Sequence, residues 1–397
     1  MTNGGSLDDF IPLIPKRDPS QVPAVGPDLG IQTNTLALAH VYMEQGWHPA
    51  PVHSFTLPLW FGGLYDEQRA ARQEAAIFDR SHLGRFYVTG ERAVEVLSRL
   101  FASDIAGIPP RGMRRVLALR EDGTILDIPT VWHLDAGRWL VVTGPQTQVH
   151  LPDMAEATVA ELGLIDQVIV RDRLTESVMF SVQGPKAAER LEAVVGTTIP
   201  GAVPEGEAHE MLLGGYRALV AYTSQVAEDG YWFVVSPEVG EHIWENSVSG
   251  GILPAGLAAH DALRIEAGVL EGPYETPVPA TPSAAGLEAL LDGAAADAVG
   301  AAAASSATTS ERTIRSIKLT GRGLAQRGDR VYAGAENIGA CVNAAYSAFL
   351  EASVGLAYLP PDLQRVEVEV DGVRVPAEVH PLPLVGPPSE RGASTPS

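Results

Sequence analysis

The chain has 397 residues, 45% hydrophobic and 19% charged, with a formal net charge of −21. That length allows two or three packed units with sizeable cores, and that charge repels nucleic acid and anionic lipid at long range. No run of about 18 apolar residues occurs, so no membrane-spanning helix is expected, and Cys341, the only cysteine, excludes an intramolecular disulfide and a cysteine-based zinc site. Residues 1–10 show no basic region followed by an apolar core, so no secretory signal is expected and a cytoplasmic location is the default.

Residues 1–50 open with closely spaced prolines (Pro12, Pro15, Pro19, Pro23, Pro27) and read as an irregular arm, with a short helical stretch at 35–45. Over 67–78, Ala70, Ala71, Ala75 and Ile77 recur at helical spacing and predict a helix. A strand at 85–88, a turn at Gly90 and an amphipathic helix at 93–101 follow. Asp122-Gly123 between two apolar runs predicts a hairpin. Further strands are expected at 139–143, 177–182, 217–222 and 231–235, and helices at 187–191 and 258–268. Strands alternating with helices imply an α+β arrangement. The run 291–311, rich in Ala, Gly and Ser, is compatible with a short alanine-rich helix, but its glycines and its Ser/Thr run favour a flexible linker. Short strands separated by Gly turns then predict a small all-β unit over 312–384. The Pro/Ser/Gly-rich tail, 385–397, is expected to be disordered.

Generic motifs are silent. There is no GxxxxGK[ST] loop, no HExxH and no GxSxG, and the histidines show no ligand spacing, so no metal is expected. A more specific signal is an ordered series of short segments. Phe78-Asp79-Arg80-Ser81-His82-Leu83, Gly123-Thr124-Ile125-Leu126-Asp127 and Val182-Gln183-Gly184-Pro185 appear in that order. They are followed by Glu228-Asp229-Gly230, Leu263-Arg264-Ile265-Glu266-Ala267-Gly268 and Ala280-Thr281-Pro282. Together they resemble the FD-x-SH-[ML], GGILDD, LQGP, TGEDG, LRLEAG and TTP segments of the folate-dependent aminomethyltransferase (glycine-cleavage T-protein) family.

The resemblance implies an α+β fold of three domains in a ring around a folate channel. Residues 51–290 would form two intertwined α+β domains, and 312–384 a β-barrel-like C-terminal domain. It also implies one-carbon transfer with tetrahydrofolate as cofactor and a small molecule as the second substrate. The chain's acidity argues against docking to an acidic lipoyl carrier protein. The pattern also departs from the family. The second aspartate of the hairpin is Ile128, which cannot accept a proton, and the glutamate expected to bind the pterin is Trp232, which has no acceptor. An expected arginine is His260, and an expected asparagine is Gly144.

Candidate acid/base residues are therefore Asp127, Glu228 and His260, and candidate cofactor contacts are Ile128, Trp232, Tyr222, Leu83, Gly144 and Arg264. Each has a plainer alternative. Asp127 is either an acid/base group or a hairpin residue satisfying backbone donors. Glu228 either faces the channel or belongs to an Asp-Gly turn. Trp232 is either a stacking platform or core, and Arg264 and Glu266 either pair with each other or with neighbouring backbone. Asp104 reads as the cap of a turn. If folate has been abandoned, the same fold would serve another ligand in a biosynthetic pathway or act without catalysis.

Overall fold

Apolar runs bounded by Gly and Pro set the strands, and tertiary packing decides how they share faces. A computed structural model describes residues 34–388, apart from 53, 197–198, 200–201, 214, 272–279 and 308–309. Five sets of strands are formed by these residues: a two-, a three-, a five- and a six-stranded sheet and a closed six-stranded barrel. The six-stranded sheet begins with Ala76–Asp79, is completed by strands from Val178–Gln183 to Leu253–Ala255, and so brackets the chain that builds the five-stranded sheet.

The two larger sheets pack face to face. Strand periodicity of two sends alternate residues to opposite faces. Trp132, Leu134 and Leu140 of one sheet and Met179, Leu219, Trp232 and Val234 of the other form the core between them. The outer face of the five-stranded sheet (Phe86, Val88, Val141) is covered by helices Ala93–Leu100 and His150–Glu161 through Leu97 and Leu151. The outer face of the six-stranded sheet (Phe180, Val220, Phe233) is covered by Leu191, Ile243 and Trp244. Each such buried large apolar side chain contributes about 1.5–3 kcal/mol.

The predicted hairpin forms: Ala118–Leu119 pairs with Ile125–Asp127 around Gly123, whose φ of +81° suits glycine. The barrel joins residues 313–380 in the strand order seen when Thr313–Leu319 is placed between Ala352–Leu359 and Val373–His380. Gln68 ties it to the rest of the chain. Its amide donates to Tyr346 O at 3.1 Å and accepts from Ala348 N–H at 2.8 Å.

Three expectations are corrected. The helix predicted over 67–78 spans Leu64–Gln73, and Ala76–Asp79 is a strand. The apolar run Ala75-Ala76-Ile77-Phe78 is buried on both faces, a pattern that periodicity cannot separate from a helix. The expected linker 291–311 is packed: helix Ala301–Ser306 buries Ala301 and Ala304 beside Leu119 and Ile125. Small residues allow that approach, since a Cβ on Gly123 would lie 2.5 Å from the Ala304 nitrogen. In the N-terminal arm, the short helix expected at 35–45 forms as Ala39–Glu44 with Val41 and Tyr42 buried, while 1–33 lie outside the described residues. At the start of the expected disordered tail, Val385 is buried and its N–H donates to Glu266 O at 2.9 Å; residues 389–397 lie outside the described residues.

Candidate functional site

Strand parity places Met179, Ser181 and Gln183 on the inner face of the six-stranded sheet, where Ser181 lies opposite Trp232 and Gln183 opposite Gly230. Gly230 is needed here for space. A Cβ would sit 2.2 Å from Gln183 Oε1 and 2.5 Å from the Thr223 carbonyl oxygen, so the glutamine amide packs directly against the glycine. Just before this turn, Ala227 takes a positive φ of +59°.

Ser181 Oγ, both amide atoms of Gln183 and Trp232 Nε1 are buried with no hydrogen-bond partner among the described residues. Trp132 Nε1, from the facing sheet, is in the same condition. Arg80 extends this cluster. Its guanidinium carbon lies 5.9 Å from the centre of the Trp232 ring, and its Nη1 donates to His260 Nδ1 at 3.2 Å. That bond leaves the His260 proton on Nε2, which is buried and unpartnered, as is Arg80 Nε. Arg80 also pairs with Glu271 at 2.5 Å. Burial, then the Arg80 charge, pushes His260 well below its usual range, so it is neutral at neutral pH. Burial alone would raise Glu271, but the Arg80 and Arg264 charges outweigh it and hold its carboxyl well below the usual carboxylate range.

The predicted site residues do not form one wall. Asp127 is a clamp: its carboxylate accepts from Ile128 N–H at 2.7 Å, from Gly144 N–H at 2.9 Å and from the Thr147 hydroxyl. Both oxygens are engaged, as the hairpin reading of this residue expects. Burial nonetheless keeps its pKa raised against these three donors. Gly144 serves through its backbone, and a Cβ there would stand 3.1 Å from Asp127 Oδ1. Ile128 packs in another cluster, with Ile265 and Leu270. Leu83 does join Trp232 in the inter-sheet core.

Glu228 is likewise engaged. It accepts from Arg72 Nη1 at 2.9 Å, and Glu266 takes Arg72 Nε at 3.0 Å. The two glutamates and the arginine form a buried knot between helix Leu64–Gln73 and helix Leu257–Glu266. Arg264 pairs with Asp261 at 2.7 Å rather than with Glu266. Tyr222 points to the outer face, where it stacks on Tyr231 at 4.8 Å and donates to Asp229 at 2.8 Å, so it does not line the interior. His260 is fully buried. Asp104 caps its turn through Gly107 N–H at 2.8 Å, as expected.

A family model described as the GCVT N-terminal domain matches residues 37–293, and one described as the glycine cleavage T-protein C-terminal barrel domain matches residues 312–385. The chain belongs to the glycine cleavage T-protein family. Similar curated proteins carry the name aminomethyltransferase. That of Thermosynechococcus vestitus is 28% identical over 348 residues, covering 86% of this chain and 93% of its own. That of Streptomyces avermitilis is 31% identical over 344 residues, covering 83% and 91%. The crystal structure of glycine cleavage system aminomethyltransferase T from Bartonella henselae superposes with a TM-score of 0.80 at 24% identity, covering 89% of this chain and 98% of that one, and establishes the shared fold. No helix among the described residues is long and apolar enough to cross a membrane.

Among T-protein-family segments, two quoted in the sequence hold residues that the motif reading left without a role. Arg80 fills the variable position of Phe78-Asp79-Arg80-Ser81-His82, and Gln183 sits inside Val182-Gln183-Gly184-Pro185. Their signal was present in the motifs, but only the sheet's parity shows that both face the interior. Arg72 and Glu271 carry no motif signal.

Proposed function

We propose that this chain is a tetrahydrofolate-dependent one-carbon transferase whose second substrate is a small molecule. The observation that carries this reading is the buried cluster of unpartnered polar atoms on Ser181, Gln183, Trp232, His260 and Arg80. Buried polar groups in folded proteins are paired in about 90% of cases or more, so several orphaned together call for a ligand.

The donor set fits a reduced pterin. Gln183 offers a buried acceptor and a buried donor side by side, which complements the N–H and C=O edge of the pterin. Gln183 would thereby take over the role vacated at Trp232. When bound, tetrahydrofolate supplies the amine nitrogen that carries the one-carbon unit. Among the chain's own residues, Asp127 fixes the hairpin against Gly144 and Thr147, and Glu271, kept ionised by Arg80, favours positive charge on a bound amine. The net charge of −21 disfavours an acidic carrier protein as donor and favours a free small molecule.

The test is isothermal titration with tetrahydrofolate and 5-methyltetrahydrofolate against the unmodified protein and Gln183→Leu. The reading expects micromolar binding, weakened at least tenfold by Gln183→Leu with no loss of thermal stability, because the glutamine has no protein partner to lose. No folate binding by the unmodified protein would overturn it. A second reading rests on Ile128 and Trp232, which make two expected contact positions apolar. In that reading the fold serves a different ligand, and binding would appear only in Ile128→Asp/Trp232→Glu.

A further inference from the structure

The inner faces of the two large sheets close on Trp232 and Trp132, but they diverge at the end marked by two edge strands, Ile169–Asp172 and Ala208–Leu213. The wedge between them is an open cleft of about 940 Å³, a size typical of small-molecule sites. Tyr87, Leu219 and Val234 form its apolar floor. Ile169 and Leu212 stand on opposite rims at 65% and 59% exposure, too open to be core. None of its lining residues belongs to the Arg80–His260–Gln183 cluster, so the cleft is a separate site.

Its charge runs against the rest of the molecule. In a chain of net charge −21, this cleft is lined by four arginines (Arg138, Arg171, Arg173, Arg217) and two carboxylates (Glu176, Glu210). Glu176 is shared between Arg171 and Arg173, and Arg138 is held by Glu210 at 3.0 Å and by Asp135 at 2.8 Å. Arg217, exposed on the facing sheet, has no ion-pair partner among the described residues. Guanidinium groups bind carboxylates through paired N–H bonds, and the apolar floor selects an organic body rather than a bare inorganic anion.

We propose that this cleft binds a small amphipathic carboxylate, with its apolar or aromatic body on Tyr87, Leu219 and Val234 and its carboxylate among the guanidinium groups. Titration of the full chain with 2-naphthoate, 2-naphthamide and inorganic phosphate tests this. The naphthoate should bind at least tenfold tighter than either of the others. Arg171→Ala/Arg217→Ala should weaken it at least tenfold with an unchanged melting temperature, since both side chains are exposed. Tetrahydrofolate titration of the same variant should be unaffected, which separates this site from the buried cluster. No naphthoate binding, equal binding of the amide, equal binding of phosphate or undiminished binding by the variant would each overturn the proposal.

Discussion

Arg72→Met strips the cation from two buried carboxylates. The Arg72 side chain is 1% exposed, and those of Glu228 and Glu266 are 0%. Arg72 also donates to the carbonyls of Val226 and Leu263, so one guanidinium joins helix Leu64–Gln73 to the segment before Glu228 and to helix Leu257–Glu266. Removing one member of a buried ion pair costs about 3–5 kcal/mol, because the remaining charge stays out of water without compensation. That is a large fraction of the roughly 5–15 kcal/mol that holds a typical protein folded. Urea unfolding followed by tryptophan fluorescence should show the midpoint falling by the equivalent amount at an unchanged slope. Adding Glu228→Gln and Glu266→Gln to the Arg72→Met background should recover about half of the loss, because the uncompensated charges are then gone. A loss below about 1 kcal/mol for Arg72→Met would refute the structural role. So would a Glu228→Gln variant of unchanged stability that had lost all transfer activity, since Glu228 would then be handling protons.

Asp127→Ala leaves two backbone N–H groups and the Thr147 hydroxyl without their acceptor and should lower stability by about 3 kcal/mol; a loss under about 1 kcal/mol in thermal unfolding would mean the clamp is not structural. His260 sits well below its usual 6.5, so the unfolded chain takes up its proton first as pH falls. The stability tied to neutral His260 is therefore complete above pH 6.5 and is lost on acidification, by up to about 1.4 kcal/mol per pH unit. His260→Gln should flatten the melting temperature between neutral pH and pH 5, and an unaltered profile would contradict a buried neutral imidazole. Gly123→Ala places a Cβ 2.5 Å from the Ala304 nitrogen at a φ of +81°, and should destabilise by about 1–3 kcal/mol in urea unfolding; a neutral effect would favour the flexible linker over the packed helix.

The sequence by itself determined the family, the α+β class, the hairpin at Gly123 and the all-β C-terminal unit. Those features rest on ordered local motifs and on turn residues whose backbone demands are visible one position at a time. It also marked Ile128 and Trp232 as departures, because each adjoins a well-matched segment. The tertiary structure alone decided what the charged residues contact. Asp127, Glu228 and His260 are alike as sequence candidates for proton transfer, but their surroundings depend on donors 17 or more positions away in the chain: Gly144 and Thr147 for Asp127, Arg72 for Glu228, Arg80 for His260. No spacing rule reaches those partners. The run 291–311 is ambiguous in sequence for a related reason. Alanine and glycine are compatible with a flexible chain and with close backbone packing, and only the neighbour at Gly123 distinguishes the two. Likewise Gln183 was legible as part of a motif, but its unpaired amide became visible only when the register set it over Gly230 on the inner face of the sheet.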